Sequence, residues 1–242
     1  MIIQGARLVG GRYEGTEPVP EGLVLMLDAQ DYPGSGSTWP AAVGPNAILY
    51  NNPTYTATSP WYFSFDPNNA QWADAPDLGS LPNWTIEAWF RATADLAPQI
   101  TQIVGGQYSG PGGVNFTLSI NAVIPPVAGL VKPGYYDANT ALWQLGLGLS
   151  IGQNAWYQLA ATFDGTNLTS YVYGYQFHQT SLPGVTTSGG LVYIARRWDD
   201  FTHIPMNFFP GDVALVRIYD IALSGAAINQ NYEESKARFG LA

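Results

Sequence analysis

The sequence contains no cysteine, few charged residues and no long apolar run, and each absence excludes a class of protein. Without cysteine, the chain has neither a disulfide framework nor a thiolate metal site. Lys and Arg number only nine against 18 Asp and Glu, which gives a formal net charge of −9. A chain so poor in basic residues is not expected to bind nucleic acid. Because no run of about 18 apolar residues occurs, no membrane-spanning helix is predicted.

Signals for targeting and for cofactors are missing as well. The first residues lack the apolar core and the cleavage pattern of a signal peptide, so we expect a soluble, acidic protein made in the cytoplasm. There is no EF-hand spacing, no Gly-Lys phosphate loop and no complete dinucleotide fingerprint. The sequence therefore predicts no metal and no cofactor.

Short apolar alternation dominates what is present. Aromatic residues make up 14% of the chain, alongside 27 Gly and 18 Pro, a mixture typical of short strands joined by tight turns. Apolar and polar residues alternate with period two in several separate segments. These segments are Trp84–Arg91, Asn115–Asn121, Trp143–Ser150 and Tyr157–Phe163. The turn Asp164–Asn167 joins two such runs and predicts a hairpin, because Asp and Gly tolerate positive φ. The fold class is therefore all-β.

The stretch Gly211–Ser224 predicts a central strand close to the end of the chain. Its alternate positions divide into two sets: Ala214, Val216 and Ile218 on one face, and Val213, Leu215, Arg217 and Tyr219 on the other. Apolar residues in both sets indicate cover on both faces, as in a β-sandwich. Arg217 is either a buried ion-pair partner or a surface contact.

The two ends of the chain have different character. Residues 1–21 are rich in Gly and Pro and are interpreted as an N-terminal arm or linker, which packs either on its own domain or on a neighbour. Residues 22–242 form one domain that ends in a helix capped by Ser224. Ile228, Tyr232, Ser235 and Phe239 form the buried stripe of this helix. Glu234 and Arg238 have the favourable i,i+4 order, and Gly240 is a stop signal.

Several segments, taken in order, resemble the laminin-G-like or concanavalin A-like lectin and glucanase superfamily. They are Trp84–Phe90, Trp156–Gly165, Tyr171–Gly174, Val192–Ile194 and Gly211–Ser224. The resemblance implies a two-sheet antiparallel jelly-roll sandwich with one short C-terminal helix. It also implies that Gly211–Ser224 is a central strand of that sandwich.

A narrower resemblance concerns the ends of the domain. Gly22–Ala29, Tyr32–Trp39 and Asn231–Leu241 are similar to the corresponding segments of tailed-phage virion proteins. This similarity implies a capsid decoration, cement, fibre or tail protein located in the virion. The implied partners are other virion proteins and further copies of this chain, for example in a trimer.

The pattern of carboxylates argues against catalysis and against calcium. Glucanases of this superfamily carry a closely spaced Glu-x-Asp-x-Glu on one strand, whereas Glu87 is alone on its strand. Relatives also carry acidic, polar segments where this chain has Pro40–Ala47 and Pro67–Trp72. A calcium site needs several convergent oxygens, so the loss of these carboxylates speaks against one.

The loop Arg196–His203 is the best candidate for a binding site. Trp198 could stack on a sugar ring while Asp199, Asp200 and His203 hydrogen-bond its hydroxyls. Alternatively, Trp198 and Phe201 cap the end of the sandwich or lie in a subunit contact. Two functions from different classes follow: a non-enzymatic virion structural protein that acts by protein attachment, or a carbohydrate-binding module that recognises a host-surface or environmental glycan.

Overall fold

The computed structural model describes residues 8–9, 12–13, 17–94, 100–106, 116–121, 130–137, 142–184, 190–198 and 205–242. Strands account for most of the regular structure, and α1 (Gly225–Ser235) is the α-helix of the described part. Within these residues, no helix has the length and apolar character needed to cross a membrane.

The strands follow one another along the whole chain. In chain order they are β1 (Leu8–Val9), β2 (Arg12–Tyr13), β3 (Leu23–Asp28), β4 (Thr38–Trp39), β5 (Ala41–Val43), β6 (Ala47–Tyr50), β7 (Thr54–Thr56), β8 (Tyr62–Phe65), β9 (Trp72–Ala75), β10 (Trp84–Ala92), β11 (Ile100–Gly106), β12 (Phe116–Asn121), β13 (Leu130–Asp137), β14 (Leu142–Leu145), β15 (Leu149–Ser150), β16 (Tyr157–Phe163), β17 (Asn167–Val172), β18 (Tyr175–Ser181), β19 (Val192–Ile194), β20 (Arg197–Trp198), β21 (Pro205–Met206) and β22 (Gly211–Tyr219). Short 3-10 helices cover Ala29–Asp31, Pro67–Asn69 and Lys236–Phe239.

Two antiparallel sheets form a sandwich, as the sequence predicts. The first sheet has the order β18-β17-β16-β10-β22-β3-β5, and β8, which also pairs with β7, joins the start of β22. The second sheet has the order β14-β13-β12-β11-β19-β9-β6-β4, with β15 beside β13. The pairs β1–β2 and β20–β21 are separate small ribbons.

The main core lies between the two sheets and receives side chains from both. Leu25 and Trp84 enter it from the first sheet, and Leu49 and Ile194 enter it from the second. Strand β22 lies between β10 and β3, and all nine of its residues are buried. The predicted central strand with cover on both faces is therefore confirmed.

The predicted division of β22 into two faces is correct at Val216 and Ile218 but wrong at Val213 and Ala214. Val213 lies in the main core, whereas Ala214 and Leu215 both lie in the outer cluster. The cause is a register shift opposite Trp89 and Phe90, where one residue of β22 has no partner. Such a bulge moves the side chains that precede it to the opposite face.

The alternation predicted from Trp143 to Ser150 also differs from the structure. The stretch divides into β14 and β15, with residues 146–148 outside both strands. Leu145 is 39% exposed and Leu147 is 55% exposed, so these leucines do not share a buried face. Gly146 and Gly148 interrupt the segment, and glycine in a strand supplies no side chain to pack.

The predicted C-terminal helix is confirmed, and it covers the outer face of the first sheet. The Ser224 side chain accepts a hydrogen bond from the Ala227 backbone N–H, and Gly240 adopts positive φ at the end. Tyr232 and Phe239 pack against Trp89 of β10. Glu234 and Arg238 do not pair with each other, because each binds a different buried partner in the first sheet.

The residues just before the domain lie against this helix. The Val19 backbone N–H donates to Asn231 Oδ1 at 2.9 Å, and Gln230 Nε2 donates to the Glu17 carbonyl at 3.0 Å. Val19 also packs against the apolar cluster that contains Ile228. Residues 17–19 are thus attached to their own domain.

Candidate functional site

The loop singled out by the sequence leaves the second sheet after β19. Its first residues include Arg196 and the short strand β20, which contains Trp198. Asp199, Asp200 and His203 lie outside the described residues, and so does the side chain of Trp198. A sugar site made of these four side chains therefore stays a prediction.

Both flanks of this loop contact one face of β9. On the leading side, Arg196 Nε and Nη2 donate to the two carboxylate oxygens of Asp74 at 2.9 and 2.8 Å. On the trailing side, the Phe208 ring stacks on Trp72 with a centroid distance of 5.6 Å. Trp72 and Asp74 share a strand face, and Trp72 Nε1 donates to Asp74 Oδ2 at 3.1 Å. The loop is thus anchored at both ends on one short strand.

Arg196 is a buried cation that the protein holds in place. Its side chain is 1% exposed, and its guanidinium lies 3.8 Å from the centroid of the Tyr193 ring. A two-point pair with a carboxylate and an aromatic face fix the plane of the guanidinium. Arg196 therefore positions the loop and offers little charge to solvent.

An aromatic stack formed by Tyr50, Trp72 and Phe208 lies on the outer face of the second sheet. Tyr50 and Trp72 are directly opposite in the β6–β9 pair, and their rings are parallel within 13° at 4.6 Å. They point outward because their neighbours Leu49 and Ala73 point into the core. Trp72 is covered by a ring on each side, whereas Tyr50 ends the stack and is 37% exposed. Tyr50 therefore presents aromatic surface to solvent.

A cluster of amide side chains adjoins Tyr50. This amide cluster comprises Asn51, Asn52, Asn68, Asn69 and Gln71. Its members come from two loops that connect the sheets: one leaves β6 for β7, and the other returns from β8 to β9. Since β6 and β9 are neighbours, the two loops lie side by side at one end of the sandwich.

Buried Gln71 ties these two loops together. Its Nε2 donates to the backbone carbonyls of Asn51 and Asn52 at 3.0 and 2.9 Å, and its Oε1 accepts from the Asp66 N–H at 2.9 Å. Asn51 Nδ2 adds a bond to the Ala70 carbonyl at 2.6 Å. The amide nitrogen and the amide oxygen of Gln71 both bond to the backbone of the two loops. The loops that carry the exposed asparagines therefore form a fixed base for these side chains.

The backbone of the amide cluster favours asparagine at two positions. Asn51 and Asn52 have φ of 58° and 52°, in the left-handed region that asparagine enters more readily than most residues. Asp66 accepts from both Asn68 and Asn69, which orients these two exposed side chains. The cluster is therefore an ordered polar surface next to an aromatic one.

The carboxylates of the first sheet form a different arrangement, beneath α1. Arg217 pairs with Glu87 at 3.2 Å and with Glu234, and the side chains of Arg217 and Glu87 are fully buried. Burial raises the pKa of Glu87 above its usual range, although Arg217 and a hydrogen bond from Asn231 oppose that effect. The two acids meet on a buried guanidinium, so no sugar bond fits between them. Among the described residues, no three acidic or histidine side chains are placed to hold a metal ion.

Sequence patterns did not identify Tyr50 or the amide cluster as a site. Tyr50 and Trp72 are 22 positions apart in the sequence, and the register of β6 against β9 brings them together. A signal is visible afterwards: one Asn pair directly follows Tyr50, and a second pair precedes Trp72. Neither pair is distinctive alone, because asparagine is common in turns.

Known structures share this sandwich at low sequence identity. Domain 4 of AbnA, a GH43 extracellular arabinanase from Geobacillus stearothermophilus solved with arabinotriose, has 16% identity and a TM-score of 0.61, over 88% of this chain and 100% of that one. Trypanosoma rangeli sialidase in complex with sialic acid has 16% identity and a TM-score of 0.60, over 97% and 36%. Botulinum neurotoxin type C, whose cell entry depends on interaction with two ganglioside molecules, has 13% identity and a TM-score of 0.63, over 88% and 51%.

This chain thus spans about a third of the sialidase and about half of the neurotoxin chain. At these identities, the likeness shows a common fold. No curated protein matches the sequence. Residues 51–229, well over half of the chain, match the family model of laminin G type. The match and the two-sheet sandwich together show that this protein belongs to the concanavalin A-like lectin/glucanases superfamily.

Proposed function

We propose that this protein is a non-enzymatic carbohydrate-binding module whose ligand lies against Tyr50 and the amide cluster. One observation carries the proposal: the half-exposed ring that ends the aromatic stack stands beside four exposed asparagines on a fixed base. An aromatic ring suits the apolar face of a sugar, and amides suit its hydroxyls.

The arrangement of the carboxylates supports binding without catalysis. Glycoside hydrolysis uses two carboxyl groups that flank the scissile bond, with room for the sugar between them. Glu87 and Glu234 instead share the buried Arg217 under α1. Asp74 is likewise engaged, by Arg196 and Trp72. The fold is shared with domains of an arabinanase and a sialidase, but these acids have a structural role here.

The predicted loop residues Trp198, Asp199, Asp200 and His203 belong to the same proposal. The loop that carries them is anchored at both flanks on Trp72 and Asp74, next to Tyr50 in the sheet. A ligand long enough to extend along the aromatic stack from Tyr50 towards Phe208 would meet side chains from this loop. Trp198→Ala should therefore weaken binding of the same glycan as Tyr50→Ala.

A role in a phage virion is a second proposal, and it rests on the similarity of the chain ends alone. That proposal includes virion proteins as partners, a trimer of this chain and location in the virion. The two functions are compatible, because a virion surface protein can bind a host-surface glycan. Mass spectrometry of purified particles tests the second proposal, and particles without this chain would contradict it.

A glycan array of the purified protein tests carbohydrate binding. The array should include arabinose-, xylose-, glucose- and galactose-based oligosaccharides and their sialylated forms, with hits confirmed by isothermal titration calorimetry. We expect saturable binding to at least one oligosaccharide class and no release of reducing sugar on prolonged incubation. Binding to none of them would contradict the proposal, and release of reducing sugar would contradict its non-enzymatic part.

A further inference from the structure

We infer that the site takes a neutral glycan and discriminates against sialylated and other anionic sugars, an inference that rests on the proposed carbohydrate binding. The carboxylate of sialic acid accepts hydrogen bonds but donates none. A protein that binds it tightly supplies cations or several donors in place of water. The amide cluster supplies only neutral groups, beside the Asp66 carboxylate.

The amide cluster offers neutral donors and acceptors side by side. Asn68 and Asn69 each use one N–H of Nδ2 to donate to Asp66, at 3.1 and 2.7 Å. Asn51 uses one N–H of Nδ2 to donate to the Ala70 carbonyl. Each of these three amides keeps its Oδ1 atom and its second N–H for a ligand. A sugar hydroxyl both donates and accepts, so these mixed groups match a neutral sugar, whereas a carboxylate can use the N–H groups alone.

The one further amide in the cluster does not change this balance. The Asn52 side chain is exposed and makes no hydrogen bond within the described part of the chain, so it offers both a donor and an acceptor. One neutral amide can hydrogen-bond a hydroxyl in either direction. It cannot compensate for the loss of water around a carboxylate, because charged groups are costly to desolvate without a charged partner.

Six cations of the described residues are either engaged or distant. Arg91, Arg217, Lys236 and Arg238 each pair with a carboxylate elsewhere in the domain, and Arg196 is held by Asp74 with 1% exposure. Lys132 lies on β13, five strands from β6 in the second sheet. That separation is about 24 Å at the usual strand spacing. None of these side chains can meet a carboxylate bound at Tyr50.

Apart from Arg12 on the separate β1–β2 ribbon, Arg197 is the remaining Lys or Arg of the described residues, and it gives the inference its sharpest test. It is half-buried, and two acids, Asp199 and Asp200, follow it closely in sequence. The whole chain carries a net charge of −9, which disfavours the approach of an anionic ligand. We therefore expect the charge of Arg197 to be compensated within the loop.

Matched pairs of glycans test the inference. Calorimetry measures how one anionic group changes the affinity. The pairs are lactose with 3′-sialyllactose, and each neutral hit from the array with its sialylated or sulfated form. The neutral member should bind at least about tenfold more tightly, a difference of about 1.4 kcal/mol. The preference for the neutral member should persist in Arg197→Gln, because the charge of Arg197 is compensated within the loop.

Two other outcomes would overturn the inference in different ways. If the anionic member binds as tightly as the neutral one or more tightly, the ligand class is wrong while carbohydrate binding stands, and a loss of that binding in Arg197→Gln would identify Arg197 as the partner of the anionic group. If neither member of any pair binds, carbohydrate binding itself fails, and the ligand class fails with it. Circular dichroism and the thermal midpoint of the Arg197→Gln variant establish that it is folded.

Discussion

Arg217 and Glu87 face each other across the two central strands of the first sheet, 3.2 Å apart and with no exposure to solvent. Arg217 also binds Glu234 of α1, and Asn231 Nδ2 donates to Glu87 Oε2 and to the Tyr219 hydroxyl. This buried polar network connects the central strands to the helix that covers them. Of the two roles that the sequence left open for Arg217, the structure selects the buried ion pair.

Removing the cation from this network should destabilise the domain severely. Arg217→Met leaves Glu87 buried without its charged partner, and breaking a buried pair from one side costs about 3–5 kcal/mol. Urea denaturation measures this loss in unfolding free energy. Lys236→Ala removes the partly exposed pair with Glu233 and is the matched control, expected to cost less than about 1 kcal/mol. A loss below about 1 kcal/mol for Arg217→Met would contradict the role assigned to the pair.

Glu87 should make stability depend on pH in a direction unusual for a carboxylate. Its pKa is higher in the folded protein than the value of 4.5 expected when unfolded, because burial disfavours the charged form. The folded state therefore binds this proton more tightly. Raising the pH through the interval between the two values lowers the free energy of unfolding.

The comparison with Glu87→Gln isolates this effect. The unfolding free energy of the wild type minus that of the variant should fall as the pH rises above about 4.5. Glu21→Gln alters an exposed carboxyl group and should show a difference that varies little with pH. A wild-type advantage that grows with pH would show that Arg217 outweighs the burial of Glu87.

Gln71 should affect both stability and binding, because it holds the two loops of the amide cluster together. Gln71→Ala leaves the Asn51 and Asn52 carbonyls and the Asp66 N–H without this partner. Unsatisfied groups of this kind cost about 1–3 kcal/mol in unfolding free energy. Gln179→Ala, on the exposed edge strand β18, is the matched glutamine control and should change little.

The effect of Gln71→Ala on glycan affinity distinguishes a positioning role from a purely structural one. If Gln71 positions the asparagines, the folded variant should bind the glycan at least several-fold more weakly at a temperature where it is fully native. Unchanged affinity would show that Gln71 does not position the asparagines for binding.

The sequence predicted the strand framework well because the framework depends on local patterns. The alternation in Trp84–Phe90 places Trp84, Ile86, Ala88 and Phe90 in the core, as predicted. The hairpin at Asp164 also forms, with Asp164 Oδ1 accepting from the backbone of Thr166 and Asn167. Periodicity fails at β22 because the bulge depends on the register against β10, which no local pattern encodes.

The candidate site was harder to predict because it depends on contacts between distant segments. The loop containing Trp198 was identified by its composition, and its flanks do lie beside the aromatic stack. Tyr50 and Trp72 become neighbours only through the β6–β9 register. Gln71 acquires its role only when two loops meet. Pair contacts of this kind follow from the fold rather than from residue spacing.

Isothermal titration calorimetry of Tyr50→Ala against Tyr175→Ala, with the tightest glycan from the array, tests the binding account most directly. Both variants remove an exposed tyrosine, since Tyr50 is 37% exposed and Tyr175 is 64% exposed, but Tyr175 lies at the start of β18, away from the aromatic stack. We predict that Tyr50→Ala weakens binding about tenfold or more, whereas Tyr175→Ala stays within about twofold of the wild type. Equal affinity of the two folded variants, or a loss confined to Tyr175→Ala, would contradict a carbohydrate site at Tyr50.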